Sequence, residues 1–375
     1  MKNVKNHKSS IKSNFEKVKK DINSFTHSFA SIKNRIGVMD IQLNWIFVLI
    51  AGFVIFLFII SIAFSQRHNA QTQADIGIMN QITTLLKGKQ QTSDMYSEIT
   101  FPRTDIEFTC SSYSQFSFNI ANAQPAQLPV EIIFTPKLVN TNKIMVWSQP
   151  FTLGFPVSIF TYITTPNSVI LIFNDGDATN YDEQLFSDLD SVSNITHKYI
   201  TEGTENAYSG FSRRTIVCFH DADASADNCP SAQDFDYIKI FPAKDLFDYG
   251  NVTFHNKGDN AIQDEHNTLP YITKAGLYGA IFSNSKEFYS CQMSRAMTQF
   301  EIKRTLIQSR LTFIQNDLQD PSDCKDGVTV TLNTEIASMQ NPVLKWDNVT
   351  NLYQMSNDLD RRNSELGLKS CPKLY

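Results

Sequence analysis

The chain has 375 residues, enough for one large domain or two average ones, and 42% of them are apolar and 12% aromatic, with 28 Phe. That composition supplies a packed core and excludes wholesale disorder. The formal net charge of −5 is unevenly spread: residues 1–40 carry nine Lys or Arg against three acids, a balance of +6, which leaves −11 on the other 335 and argues against nucleic-acid binding there.

The first predicted element is a basic amphipathic helix. Apolar residues recur at Ile11, Phe15, Val18, Ile22, Phe25, Phe29, Ile32 and Ile36, alternating steps of four and three. This is a heptad seam, with Lys12, Lys17, Lys19, Lys20, Lys33 and Arg35 off it. Two partners fit such a segment. One is the inner leaflet of a lipid bilayer, with the cations on anionic headgroups. The other is a second copy or a cytoplasmic protein docked on residues 11–36. The many Phe and the neighbouring apolar run favour the lipid surface.

Leu43 to Phe64 holds no charged residue, and Asn44 and Ser61 are its only clearly polar side chains. A helix of that length spans about 33 Å, which matches a bilayer core of about 30 Å. Its Leu, Ile, Phe and Val each favour insertion by roughly 0.3–0.6 kcal/mol at the helix centre. The cations upstream, against Arg67 alone in the twenty residues downstream, put the N-terminus in the cytoplasm and the acidic bulk outside. The cysteines point the same way. Cys110, Cys218, Cys229, Cys291, Cys324 and Cys371 all follow the apolar run, as a disulfide framework outside the cell would. The N-x-T sequons at Asn194, Asn251 and Asn348 lie on that side too and are candidate glycan acceptors.

Ser65 to Lys87 reads as a helix that turns amphipathic through Ile78, Met79, Ile82, Leu85 and Leu86, and Gly88 to Ser97 as a linker. Strands are then expected at 106–110, 116–120, 130–134, 143–147, 155–163 and 169–173, where β-rich runs are punctuated by Pro, Asn and Gly. A helix over Tyr181–Val192 leads into strands at 215–220, 237–241, 251–255 and, for LYGAIF, 277–282. The continuous apolar runs VILIF and YIKIF fit strands buried on both faces of a mixed or parallel sheet. A long packed helix near residues 289–318 carries Met293, Met297, Phe300, Ile307, Leu311, Ile314 and Leu318 on one stripe. A last helix, roughly Asn348–Leu366, is expected to stop at Gly367.

That helix limits the disulfides. About 28 helical residues separate Cys291 from Cys324 by roughly 42 Å, whereas bridged Cα atoms lie within about 7 Å. Cys218–Cys229 closes the shortest loop and is the first expected pair. Cys324–Cys371 would clip the last helix, leaving Cys110 for Cys291.

The chain lacks G-x-S-x-G, H-E-x-x-H, G-x-x-x-x-G-K-[ST] and G-x-G-x-x-G, and its cysteines show no C-x-x-C spacing. Asp221, Asp223, Ser225 and Asp227 place oxygen ligands at alternate positions, like the opening of a calcium loop. Ala226 and Ala232 stand where that loop needs Gly and a bidentate Glu. A second acidic patch, Asn174-Asp175-Gly176-Asp177, follows VILIF, and the two patches would gather at one sheet edge if their strands are neighbours. Solvated acidic turns are the plain reading, and a Ca2+ or Mg2+ site, on Asp221, Asp223 and Asp227, the sharper one. His197, His220, His255 and His266 are scattered and read as ordinary.

Arg35-Ile36-Gly37 before Val38-Met39-Asp40-Ile41-Gln42 resembles the signal of archaeal type IV pilin-like proteins. The resemblance implies cleavage after Gly37, Gln42 as fifth residue, and a long first helix passing into a head. LNWIFVLIAG (43–52), a YGAIFS-like stretch followed by Cys291, and Cys371-Pro372 also resemble uncharacterised archaeal single-pass membrane proteins with an outer α/β domain.

The expected protein is therefore α+β. It has a cytoplasmic amphipathic segment (1–40), a transmembrane helix (41–64), an amphipathic helix and linker (65–97), and a disulfide-stapled outer domain with a mixed β-sheet (98–375). A structural or binding role at the plasma membrane is the first expectation. A cleaved pilin-like subunit and a surface-tethered metal-dependent hydrolase are its alternatives.

Overall fold

A computed structural model describes residues 40–89, 96–111, 115–121, 123–173, 181–192, 194–201, 204–219, 236–243, 246–255, 267–317, 336, 346–368 and 373. The chain divides into two units, residues 1–69 and 70–375. Helix α1 runs over Asp40–Lys89. In the first unit it bears the charge-free run, and large side chains there stand bare: Phe47, Leu49 and Phe64 are 74%, 71% and 68% exposed.

In the second unit the same helix turns amphipathic. Ile78, Met79, Ile82 and Leu86 are buried in a cluster with Ile106, Phe108, Phe116, Phe118, Ile144 and Val146. Those partners belong to a six-stranded mixed sheet of order β3-β2-β1-β5-β6-β4. Its strands are β1 (Tyr96–Ser111), β2 (Gln115–Ile120), β3 (Ala126–Leu128), β4 (Ile132–Phe134), β5 (Leu138–Thr152) and β6 (Pro156–Thr164). All its pairings are antiparallel except β4 with β6. The expected boundary at residue 98 falls inside β1, where Tyr96 and Ser97 already face Trp147 and Val146. Helix residues 78–86 are thus part of the domain core.

A second six-stranded sheet has the order β12-β11-β10-β9-β7-β8. Its strands are β7 (Ser168–Phe173), β8 (His197–Ile200), β9 (Arg213–Phe219), β10 (Asp236–Ala243), β11 (Leu246–His255) and β12 (Thr268–Ile272). The four strands β8, β7, β9 and β10 are parallel, and β11 runs against both β10 and β12. As their continuous apolar runs predict, β7 and the centre of β10 are buried on both faces: Val169 to Phe173 and Ile238 to Ile240 are all at most 7% exposed.

Helices α2 (Tyr181–Asp190), α3 (Thr273–Ser283), α4 (Lys286–Asp317) and α5 (Trp346–Leu368), with a single 3-10 turn at Glu205–Tyr208, complete the described elements. One large core joins both sheets through α3 and α4, with Phe134, Trp147 and Tyr162 from the first sheet and Ile172, Val217, Ile240 and Val252 from the second. Trp147 lies 4.9 Å from Tyr162 and 5.2 Å from Tyr278 between ring centroids, so the centre of this core is aromatic.

One expectation is overturned. LYGAIF is not a strand but the body of α3, in which every residue from Ala275 to Ser283 is buried. A helix enclosed on all sides has no polar face, so its sequence shows no 3.6-residue stripe and imitates a buried strand. Gly279 makes the enclosure possible, because a Cβ there would sit 2.7 Å from the Phe134 ring. Asn284 then ends the helix in the left-handed conformation, with its N–H on Ala280 O at 3.0 Å.

Helix α4 matches the long helix expected, with Met293, Met297, Phe300 and Leu311 buried and Ile302, Leu306 and Phe313 exposed on its other side. Arg295 fastens it to the first sheet by donating to Leu128 O and Pro129 O, both at 3.0 Å. Helix α5 continues through Gly367 to Leu368, past the expected stop.

Candidate functional site

Among the described residues, one helix is long and apolar enough to cross a membrane, the first part of α1. In water the exposed side chains of Phe47 to Phe64 would form an apolar surface with nothing to cover it, whereas in a bilayer they match their solvent.

The second unit carries a polar cleft of about 380 Å³. Its walls come from four places distant in sequence: the β5–β6 turn (Thr152, Gly154, Phe155, Pro156), Asp248 of β11, Thr273 at the start of α3, and α5 (Tyr353, Ser356, Asn357, Asp360). Gly154 holds the turn in place. It sits at φ 71°, and a Cβ there would meet Leu359 at 2.9 Å and Ser356 O at 3.0 Å, so α5 packs directly on the backbone. Thr273 has φ 64°, a costly conformation for a β-branched residue, at order 1–3 kcal/mol. Its Oγ1 accepts the Gly276 N–H at 3.4 Å, which partly caps the helix from within.

Tyr353 donates to Asp248 Oδ2 at 3.0 Å and its ring lies 4.7 Å from that of Tyr249. Burial raises the Tyr353 hydroxyl pKa above the usual phenol value, and the Asp248 carboxylate raises it further, against a hydrogen bond from Asn357 that lowers it. The hydroxyl is therefore a donor that stays protonated.

A separate polar clip lies nearby in the chain. Lys274 Nζ is 2.9 Å from Asp188 Oδ2, and Tyr278 donates to the same oxygen at 2.5 Å. Burial, then Asp188, drives the Tyr278 pKa far upward, so this group ties α2 to α3 and supplies no phenolate.

Asp221, Asp223 and Asp227 lie outside the described residues, as do Asn174 to Asp177, His220 and His266. The strands before the two acidic stretches are placed, however. β7 and β9 are parallel neighbours, with Phe173 opposite Cys218. The strand order also reverses there, since β8 lies on one side of β7 and β9 on the other, and open α/β sheets bind ligands outside the carboxyl ends at such a point. No cluster of three or more His, Cys, Asp or Glu placed to hold a metal occurs among the described residues.

Of His197, His220, His255 and His266, the two within the described residues are structurally occupied. His197 Nδ1 is 2.9 Å from Ile195 O, and His255 stacks on Tyr237 at 4.0 Å. Cys110 and Cys291 form a disulfide with Cα atoms 6.2 Å apart, joining β1 to α4 across 181 residues. Cys218 is also disulfide-bonded, while Cys229, Cys324 and Cys371 lie outside the described residues. The three sequons differ. Asn194 stands on an exposed turn, Asn251 is a half-buried residue of β11 between Phe241 and Pro270, and Asn348 lies in the first turn of α5, its side chain outside the described set.

The cleft was not legible in the sequence. Its residues come from segments some two hundred positions apart, and the one local sign is the Leu-Gly-Phe-Pro turn at 153–156. No family model, no curated protein and no solved structure matches this chain.

Proposed function

We propose that this is a single-pass protein of the plasma membrane, with its N-terminus in the cytoplasm and an outer domain that serves a binding role in the cell envelope. The observation that carries the reading is the bare apolar surface of α1 from Ile46 to Phe64, in contrast to the second unit, where most large hydrophobic side chains are buried. The charge balance of +6 before the run and −11 over the remainder supports the orientation. The Cys110–Cys291 bridge fits an oxidising compartment. The test is extraction of native membranes with high salt and then with detergent. The protein is expected to resist salt and dissolve only in detergent; release by salt alone would sink the anchor.

Two narrower readings each have an observation behind them. A pilin-like subunit cleaved after Gly37 is favoured by a single first helix whose later part is packed on an antiparallel region of sheet through Ile78, Met79, Ile82 and Leu86. It requires a mature N-terminus at Val38, and an intact mass that includes residues 1–37 removes it. A Ca2+- or Mg2+-dependent activity on Asp221, Asp223 and Asp227 is favoured by the adjacency of β7 and β9 at the strand-order reversal. It requires either cation to raise the melting temperature, and an unchanged melting curve counts against it.

A further inference from the structure

We infer that the cleft between the β5–β6 turn, β11 and α5 takes a small organic cation, a molecule presenting an alkylammonium or guanidinium group, which it holds through Asp248 and Asp360. The inference deepens the binding role proposed for the outer domain and rests on it.

Size comes first. The cleft of about 380 Å³ is far larger than a bare ion needs and falls at the lower end of small-molecule sites, about 300–1,000 Å³. Charge comes next. Asp248 and Asp360 both line it, and no Lys, Arg or His among the described residues does. Neither carboxylate makes an ion pair with a described residue. Of the described cations close to wall residues in the chain or in contact with one, Lys274 is paired with Asp188 and Arg361 with Asp358 and Glu365, while Lys303 donates to Pro156 O at 3.2 Å.

The start of α3 at Thr273 carries a partial positive charge of about +0.5, which leaves two carboxylates well in excess. It is also partly neutralised by the Thr273 Oγ1 cap. An anion is therefore repelled and a cation attracted.

The remaining wall groups suit an organic cation better than a metal ion. The half-buried Tyr353 supplies aromatic surface, over which ammonium and guanidinium groups are stabilised. Ser356 and Asn357 supply neutral acceptors for the several N–H donors such a group carries. Tyr353 fixes Asp248 by its hydrogen bond to Oδ2, which orients that carboxylate before any ligand arrives. The same chemistry is offered by a free amine and by a basic side chain of another protein.

The test is calorimetric titration of the full-length protein in detergent at low salt. Four probes are used: putrescine, agmatine, the uncharged isostere 1,4-butanediol, and a blocked Gly-Lys-Gly peptide. Putrescine or agmatine is expected to bind saturably and butanediol not at all, and Asp248→Asn and Asp360→Asn should each weaken binding by roughly tenfold or more. Tighter binding of the peptide than of putrescine supports the inference and assigns the cation to a protein side chain. Binding of butanediol as tight as that of putrescine overturns it, as does the absence of cation binding up to about 10 mM. Asp360 is exposed on α5, so its substitution leaves the fold intact, and unchanged affinity in that variant also overturns the inference. Because the titration is done in detergent, its failure leaves the membrane anchor standing, and salt release of the protein leaves the titration result standing.

Discussion

Two stretches of one helix behave in opposite ways. From Ile46 to Phe64, α1 presents large apolar side chains that are mostly more than half exposed, whereas Ile78, Met79, Ile82 and Leu86 are at most 7% exposed in the core of the second unit. The backbone is the same in both. What differs is the pattern: apolar residues all round in the first stretch, and a stripe with Gln81, Thr84 and Lys87 off it in the second. A helix apolar all round needs an apolar solvent, and a striped helix needs one partner surface. Anchoring and packing are thus separable properties of a single element.

The largest expected effect comes from charging the first stretch. Val54→Lys with Ile55→Lys should disfavour insertion by roughly 5–7 kcal/mol, taking each lysine at about 2.5–3.5 kcal/mol near the helix centre. The variant should move from the membrane pellet to the aggregated or soluble fraction while the outer domain keeps its melting temperature. Loss of the melting transition as well would mean that the two stretches are not separable.

The converse substitution is Ile82→Ala. Ile82 is fully buried, and truncation there should cost about 2–5 kcal/mol of outer-domain stability, read by denaturant titration in detergent. Membrane partitioning should not change. A cost near zero would show that this part of α1 does not belong to the domain core.

Replacing Cys110 and Cys291 together by Ser sharpens the same contrast from the domain side. The bridge closes a loop of 181 residues between β1 and α4, and its removal should cost about 2–4 kcal/mol in the same titration. A reducing agent should cost the wild-type protein at least as much, because it also opens the Cys218 bridge, and should have no effect on membrane association.

The smallest separation is by pH. Burial raises the pKa of Tyr162, Tyr271, Tyr278 and Tyr289 above the ordinary phenol value of 10.0. A folded pKa above the unfolded one leaves that stability fully present below pH 10, and it is lost as pH rises toward the folded values. The outer domain should therefore melt at a constant temperature between about pH 7 and 9 and destabilise above pH 10. The charge-free run of α1 has nothing to titrate and should stay in the bilayer throughout. Destabilisation that begins near pH 8 would contradict the assignment to buried tyrosines.

The sequence was most readable where a segment's own pattern decides its environment. The apolar run, the heptad-like stripe of α4 and the buried strands VILIF and YIKIF all declare themselves locally. It was least readable where enclosure by distant residues decides. LYGAIF is a helix because Gly279 lets Phe134 lie against its backbone, and nothing in those six residues announces the ring. The short strands Ala126–Leu128 and His197–Ile200 are held by neighbours in their sheets, and their own composition gave no strand signal. The cleft is the extreme case. Asp248, Gly154, Tyr353 and Asp360 meet only because a turn, a strand and a terminal helix converge, so no spacing rule could have joined them. Whether β7 and β9 are neighbours was left open by the sequence, and their pairing, with Phe173 opposite Cys218, is known only from the fold.

The most direct test of the account is protease digestion of sealed, right-side-out membrane vesicles with the protein in its native membrane. External protease is expected to remove the outer domain and leave a protected fragment that ends shortly after Phe64 and remains in the membrane. A chain that resists protease until the vesicles are opened would reverse the orientation, and a chain digested to completion with no protected fragment would contradict the membrane span itself.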